Sequence, residues 1–594
     1  MFKRSLTLSG AALAVTASIF GQAFRQPDGR IPMMTDWSTK HVIYTSGFTS
    51  KQVEKMRDDP RLYYSWLMQG HAPSMASAAV DTSATDIESS KRRPAPAPHR
   101  DWAFSLGTGT VAQNMSPAKY SYDINATPSC TNDYAVYGLN VAGSTSGQAN
   151  LVGLNNLYAG SSPTGICSSG PSVYFAYNVT TQTSGKVLTS PLISEDGKKI
   201  IFVESYSTGS VLHVLLWNSS DGGTVSKAVA PTNTAANIGA CTAGASCLVS
   251  IALGSNANTN SSPFYDYADD IVYVGDDGGQ LYKVTPVLNS GTPVVTKLST
   301  ALSTKLTGPV YDFNSTLVFV GGANGKLYAV VPGTMALAAH SSIQVGDTSC
   351  SSGTANGFQN NSLVDAPIVD STNGIVFETA TTGADGTHTV VVQASTTGTN
   401  SPTGTSWTAT ETAEVGEGDS GCDSGSAFPS HSPAFDNTYY TTPASGYLFA
   451  CGRETSTSSP ELWSVSFTTG PLMKTATALG TTVIKATNHA ECSPLTEFDN
   501  TNTGADYLFL GEGLSGSFGS LYGFTVNNST GLVTAISGSP ISYPEANGGT
   551  SGIIIDNVSN LGQASSLYFT TLGTGTPCTT GAYCAIKLTQ SALQ

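Results

Sequence analysis

The sequence predicts an all-β fold, a β-propeller with eight blades preferred and seven as the alternative. Three observations carry this. One unit occurs twice in near copy, at 262–284 (SPFYDYADDIVYVGDDGGQLYKV) and 308–330 (GPVYDFNSTLVFVGGANGKLYAV). The copies start 46 residues apart, the spacing of one four-stranded blade. The opening of that unit then recurs along the chain. A lone strand before the first copy matches a gap in the last one.

The openings are Ser116-Pro117, Ser190-Pro191, Ser262-Pro263, Gly308-Pro309, Ala366-Pro367, Ser432-Pro433, Ser493-Pro494 and a degenerate Ser551-Gly552. An acidic residue follows three after the proline at Asp266, Asp312, Asp370 and Asp436, and Glu497 takes that place in the seventh copy. This Pro-x-x-Asp is read as a strand-end device, its carboxylate accepting backbone N–H groups between blades. Second strands follow (KIIFVES, DIVYVGD, TLVFVGG, GIVFETA, GYLFACG, DYLFLGE, SLYFTTL), then third strands (VLHVLLW, QLYKVTP, KLYAVVP, TVVVQAS, ELWSVSF, SLYGFTV, YCAIKLT). Their alternation of aromatic and β-branched residues marks half-buried antiparallel strands. The Gly-rich tips GDDGGQ and GGANGK are hairpin turns that need positive φ.

The last copy runs out of chain. It has three strands and then stops at Gln594, which leaves an open edge of the kind sheets avoid. Residues 101–106 (DWAFSL) are expected to supply the fourth strand and close the ring between the two ends.

Upstream lie segments of a different character. Residues 1–23 read as a signal peptide: Lys3 and Arg4, a short apolar run, then Gly21-Gln22-Ala23. Residues 24–70 read as an N-terminal segment with a short strand near 36–45 and one or two helices in 50–69. Residues 71–100 are a linker rich in Pro, Ala and Ser, and 101–594 form the propeller. No segment is apolar for long enough to span a bilayer.

Composition narrows the function classes. Charged residues are 11% of the 594, and the net charge is −15. With so few Lys and Arg there is no basic footprint for nucleic acid or an anionic membrane. An exported, disulfide-bonded chain of the periplasm, cell surface or extracellular space fits better, since ten cysteines are present. Cys241–Cys247 and Cys578–Cys584 share the pattern Cys-Thr-x-Gly-Ala-x-Cys and are expected to close two small loops. Cys130–Cys167 ties the first copy. Three pairings are open for Cys350, Cys422, Cys451 and Cys492, with Cys451–Cys492 preferred.

Signals for chemistry are sparse. The eight histidines form no HxxxH or HxH, so a His-based metal site has no local support. Gly418-Asp419-Ser420-Gly421 matches a protease nucleophile turn, but no matching His segment precedes it. Asp266, Asp269, Asp270, Asp276 and Asp277 crowd one copy and are the weak candidates for calcium, against plain turn chemistry.

Copies of the type IVYVGDDGGQLYKV resemble the repeats of the quinoprotein-like (PQQ-type) propeller superfamily. The resemblance covers about 116–588 and rests mainly on the two good copies. It implies a propeller, and in the dehydrogenase branch a PQQ cofactor held by adjacent cysteines with calcium. No two cysteines are adjacent here, so PQQ is disfavoured and no cofactor is expected. The chain also looks like large secreted bacterial propellers of unassigned function. The reading favours a non-catalytic binding or scaffold protein whose partner is a protein or a polysaccharide at the loop face. Its rival is a channel-centred enzyme, either a glycan-active hydrolase or lyase or a divergent quinoprotein-type dehydrogenase.

Overall fold

The computed structural model describes residues 99–589, apart from internal stretches of which 349–362 and 419–428 are the longest, together with 34–35 and 42–44. Four-stranded antiparallel meanders follow one another in chain order. In the third copy the strands are Phe264–Asp266, Ile271–Gly275, Leu281–Thr285 and Val294–Lys297, hydrogen-bonded in that order. The fourth copy repeats this with Val310–Asp312, Leu317–Gly321, Lys326–Val331 and Ala336–Leu337. Seven hydrogen-bonded sheets are present among the described residues, and the largest joins two successive meanders through one bridge, Gly416 to Arg453. Alternating side chains from neighbouring sheets interdigitate into a shared core. One such cluster brings Phe264 and Tyr273 of the third copy against Val318, Phe319 and Val320 of the fourth and Val376 of the fifth.

The ring closes as the sequence predicts. His99–Gly107 pairs antiparallel with Tyr583–Thr589, from His99 opposite Thr589 to Gly107 opposite Tyr583. It is therefore the outer strand of the last sheet, three residues longer than the expected 101–106. Two fixings hold it. Trp102 Nε1 donates to the Leu157 carbonyl of the first copy at 2.9 Å. Asp101 pairs with Lys587 Nζ at 2.9 Å, both side chains fully buried. Lys587 Nζ also donates to Gln563 Oε1 at 2.7 Å, and the Thr589 hydroxyl donates to Asp101. A second buried pair, Lys119 Nζ with Asp556 Oδ2 at 2.6 Å, joins the first sheet to the last.

The eight openings form the innermost turn of the ring, each touching the next. Ser116 N–H donates to Ser190 Oγ at 3.0 Å, and Ser190 N–H to Ser262 Oγ at 3.1 Å. Gly308 follows: a Cβ there would lie 3.3 Å from the Ser262 carbonyl and 3.2 Å from Ala366 Cβ. Such crowding explains why this opening is glycine where most others are serine. Ser432 N–H donates to Asp365, Leu495 N–H to the Ser432 carbonyl, and Thr496 Oγ1 to the Ile553 carbonyl. Gly552 N–H returns to the Met115 carbonyl at 2.7 Å and completes the circle. Hydroxyls at or just before the openings have a second task. Ser261, Thr307, Ser493 and Ser551 accept the N–H of Gly275, Gly321, Gly511 and Thr570, at the ends of their second strands.

The Pro-x-x-Asp carboxylates sit at the far ends of the inner strands. Asp312 accepts the N–H groups of Asn314 and Ser315 in its own turn, and the Ser371 hydroxyl of the next sheet at 2.6 Å. Asp370 accepts Asn373 N–H and the Tyr439 hydroxyl of the following meander. The strand-end role is thus present with one change of partner: the backbone bonds are local, and side chains make the links between sheets.

Upstream of the ring, Met34–Thr35 pairs with Val369 and Asp370, and Val42–Tyr44 pairs parallel with Lys119–Ser121. Both add to innermost strands; the strand expected near 36–45 is the second of them. The proposed signal peptide, the helices in 50–69, most of the linker, Cys350, Cys422 and the 419–421 part of the protease-like turn lie outside the described residues.

Candidate functional site at the axial mouth

The loops that lead into the openings converge on the ring axis. The residue just before each opening is Met115, Thr189, Ser261, Thr307, Asp365, His431, Cys492 or Thr550. Two adjacent copies therefore place an aspartate beside a histidine at one end of the axis, and Glu491 comes from the third. His431 Nδ1 is 3.2 Å from Asp365 Oδ1, and its Nε2 is 2.7 Å from Glu491 Oε1. Asp365 Oδ2 accepts Ser432 N–H at 2.6 Å. Gln113 Nε2, from the first copy, donates to the other oxygen of Glu491. Further cross-ring contacts fill the same layer: Ser262 Oγ reaches Met115 Sδ at 3.2 Å, and Asn260 Nδ2 donates to the Val364 carbonyl at 2.6 Å.

All three charged groups are removed from water: His431 is 1% exposed, Asp365 8% and Glu491 7%. Burial disfavours the imidazolium, but the two carboxylates outweigh it and hold His431 up at about 10. With both ring nitrogens facing carboxylates, the protonated form alone donates on both sides. His431 is then a fixed cation at neutral pH and not a general base. Nearby, burial holds the Glu378 carboxyl well above its ordinary range, with the charge of Asp365 adding to the effect.

A cleft of about 220 Å³ opens over Glu491. Thr110, Gln113, Asn114, Asn140 and Tyr583 line it with amides and hydroxyls, and among the described residues no lysine or arginine does. The arrangement can hydrogen-bond a polar ligand and offers it one carboxylate.

The residues singled out from sequence lie elsewhere. Asp266, Asp269 and Asp270 are at one end of Ile271–Gly275, and Asp276 and Asp277 are at the other. That strand has 5 residues and is about 16 Å long, so the five carboxylates do not converge. Asp270 accepts the N–H groups of Val287, Leu288 and Asn289, and Asp276 those of Gly278 and Gln280. Asp277 accepts Thr259 N–H. The disulfides Cys130–Cys167, Cys241–Cys247, Cys451–Cys492 and Cys578–Cys584 are formed. Cys451–Cys492 lies against the axial cluster, because Cys492 follows Glu491. The axial trio itself went unseen in the sequence, although aligning the residue before each opening displays Asp365 and His431 side by side.

Titration within the fold gives a pH dependence. Burial, reinforced by the charge of Asp506, pushes Asp436 up to about 7 from 3.8, against the N–H groups of Tyr447 and Tyr439. A folded-state value above the unfolded one gives stability that is complete below the unfolded pKa and lost as pH rises through the folded one. For Asp436 that window runs from 3.8 to about 7. Thermal melts are expected to show Tm falling between about pH 4 and 7 and levelling off above that. Asp436→Asn keeps an oxygen to cap helix Asn437–Thr441 and should flatten the slope; an unchanged slope would reject Asp436 as its source.

Four-stranded meanders, linked opening to opening and closed by the first strand, make this chain a β-propeller. No protein-family model matches it, and no curated protein matches its sequence. Among solved structures it is similar to Sqt1 of Saccharomyces cerevisiae, at 9% identity and a TM-score of 0.40, covering 83% of this chain and 100% of that one. The C-terminal WD40 domain of Sif2 is similar at 8% identity and a TM-score of 0.40, covering 83% and 99%. The dihydro-heme d1 dehydrogenase NirN is similar at 12% and 0.37, covering 83% and 84%. Likenesses this distant say nothing of this chain's ligand.

Proposed function

We propose that this chain is a non-catalytic binding propeller, eight-bladed when each meander is counted as one blade, that works outside the reducing cytosol. Four disulfides among the described residues suit an oxidising compartment, and no helix there is long and apolar enough to cross a membrane. The cleft over Glu491 carries the reading. Its amide and hydroxyl lining matches a polyhydroxylated ligand, so a polysaccharide is favoured over a protein segment. His431, locked between two carboxylates, has no free nitrogen for proton transfer.

The enzymatic alternative has a clear discriminator. The purified protein is expected to bind a subset of a glycan array without releasing reducing ends, and Gln113→Ala should weaken that binding about tenfold, the loss of one or two hydrogen bonds. Turnover of a polysaccharide would replace this reading with the hydrolase or lyase. Dye reduction with added PQQ and calcium would replace it with the quinoprotein. Against the latter, the described cysteines pair at sequence separations of 6, 37 and 41, none adjacent.

A further inference from the structure

A second cluster lies away from the axis, where His388–Ser395 pairs with Glu411–Glu417 in the fifth copy. Glu414 and Glu417 are three apart. In a regular strand an odd spacing puts side chains on opposite faces. The ladder is irregular here: His388 is opposite Glu417 and Val390 is opposite Glu414, so Thr389 on one strand faces two residues, Val415 and Gly416, on the other. This is a β-bulge, and its effect is to turn both glutamates to the face that carries His388. Gly416 makes it with φ +110°, and a Cβ there would lie 1.9 Å from the Arg453 carbonyl. The bulge therefore accepts no side chain.

On that face Asp385 Oδ2 is 2.5 Å from His388 Nδ1, and Glu414 Oε2 is 3.8 Å from His388 Nε2. One ligand atom from each of the three residues lies within 4.8 Å of the others. Asp385 is set by its own turn, its Oδ1 accepting Thr387 N–H at 3.1 Å and His388 N–H at 3.2 Å. Three carboxylates, counting Glu417, face one imidazole with no lysine or arginine among them, so the cluster keeps a negative charge whether or not His388 is protonated.

We propose that Asp385, His388 and Glu414 bind a divalent transition-metal ion such as Zn²⁺, with Glu417 as an outer carboxylate. An imidazole beside two carboxylates selects a borderline metal over calcium, whose ligands are all oxygens. Three protein ligands leave a tetrahedral ion one open position, for water or a ligand group. The ion takes the place of the hydrogen bond between Asp385 and His388. Metal–ligand distances of about 2.0–2.1 Å in a tetrahedron require the Asp385 and His388 atoms to separate to about 3.3 Å, and Glu414, which faces Nε2, has to swing toward an ion held on Nδ1, a movement open to an exposed side chain. Binding therefore releases the His388 proton, and affinity rises with pH.

Isothermal titration of the full chain with ZnCl₂ tests this, alongside Co²⁺ absorption as a report of geometry. One equivalent is expected to bind, more tightly at pH 8 than at about pH 6, with tetrahedral Co²⁺ bands. His388→Ala and Glu414→Gln should each weaken it by about tenfold or more. Both positions are on the surface, so both variants fold. No saturable binding, or binding that His388→Ala leaves intact, overturns the site.

Discussion

Replacing Lys587 with methionine is expected to destabilise the fold by about 3–5 kcal/mol, the usual cost of stranding one partner of a buried ion pair. The side chain is fully buried, and so is that of Asp101, its partner across the ring-closing strand pair. Without the ammonium, Asp101 keeps the Thr589 hydroxyl but loses its counter-charge. The damage should be local at first. Strand 99–107 loosens from 583–589, so limited proteolysis cuts within 99–107 in the variant and not in the parent. The double variant Asp101→Leu/Lys587→Met should recover most of the loss, because an apolar pair of similar volume often does as well as a buried ion pair. Urea denaturation of the three proteins decides it. A single variant within about 1 kcal/mol of the parent would show that the pair does not fasten the ring. Burial pulls the Lys587 amine down to about 8 from 10.5, with Asp101 opposing. Its folded value is below its unfolded one, so this group makes stability rise with pH between those values, opposite in sign to Asp436.

His431→Leu is the second large effect. Removing the imidazolium leaves Asp365 and Glu491 buried with no cation between them, at a cost of about 3–5 kcal/mol. The same substitution should abolish binding at the axial cleft, since Glu491 and Gln113 are held by that network. Adding Glu491→Gln removes one of the stranded charges and should restore part of the stability. If His431→Leu proved neutral by urea denaturation, the trio would not be the ionised bridge inferred from its geometry.

The architecture was legible because its causes are local and repeated. Alternation of residues such as Ile271, Val272, Tyr273 and Val274 specifies a strand wherever it occurs, and a missing fourth strand at one end matched a spare one at the other. Disulfide loops of 6-residue separation were legible for the same reason. The axial site was not, since Asp365, His431 and Glu491 come from three copies and meet only when the ring forms. Bulge geometry hid the surface cluster: with Glu414 and Glu417 three apart, period-2 reasoning assigns them to different faces. The five aspartates of the third copy show the opposite case. Neighbours in sequence, they are divided by a strand; Asp276 serves its own turn, while Asp270 and Asp277 accept N–H groups of segments distant in sequence.

The strand that fastens the ring is the first of the ring to be made, and its partner ends at Thr589. A chain synthesised from its N-terminus thus carries 99–107 unpaired through the making of nearly every other strand. Joining ends 490 residues apart adds only slowly growing loop entropy to stability but bears heavily on the rate. Meanwhile the strand is an open edge, the kind that recruits other chains. His99, Arg100 and Asp101 guard its leading end with charge or polarity. The residues that lock the finished ring thereby also protect the unfinished one.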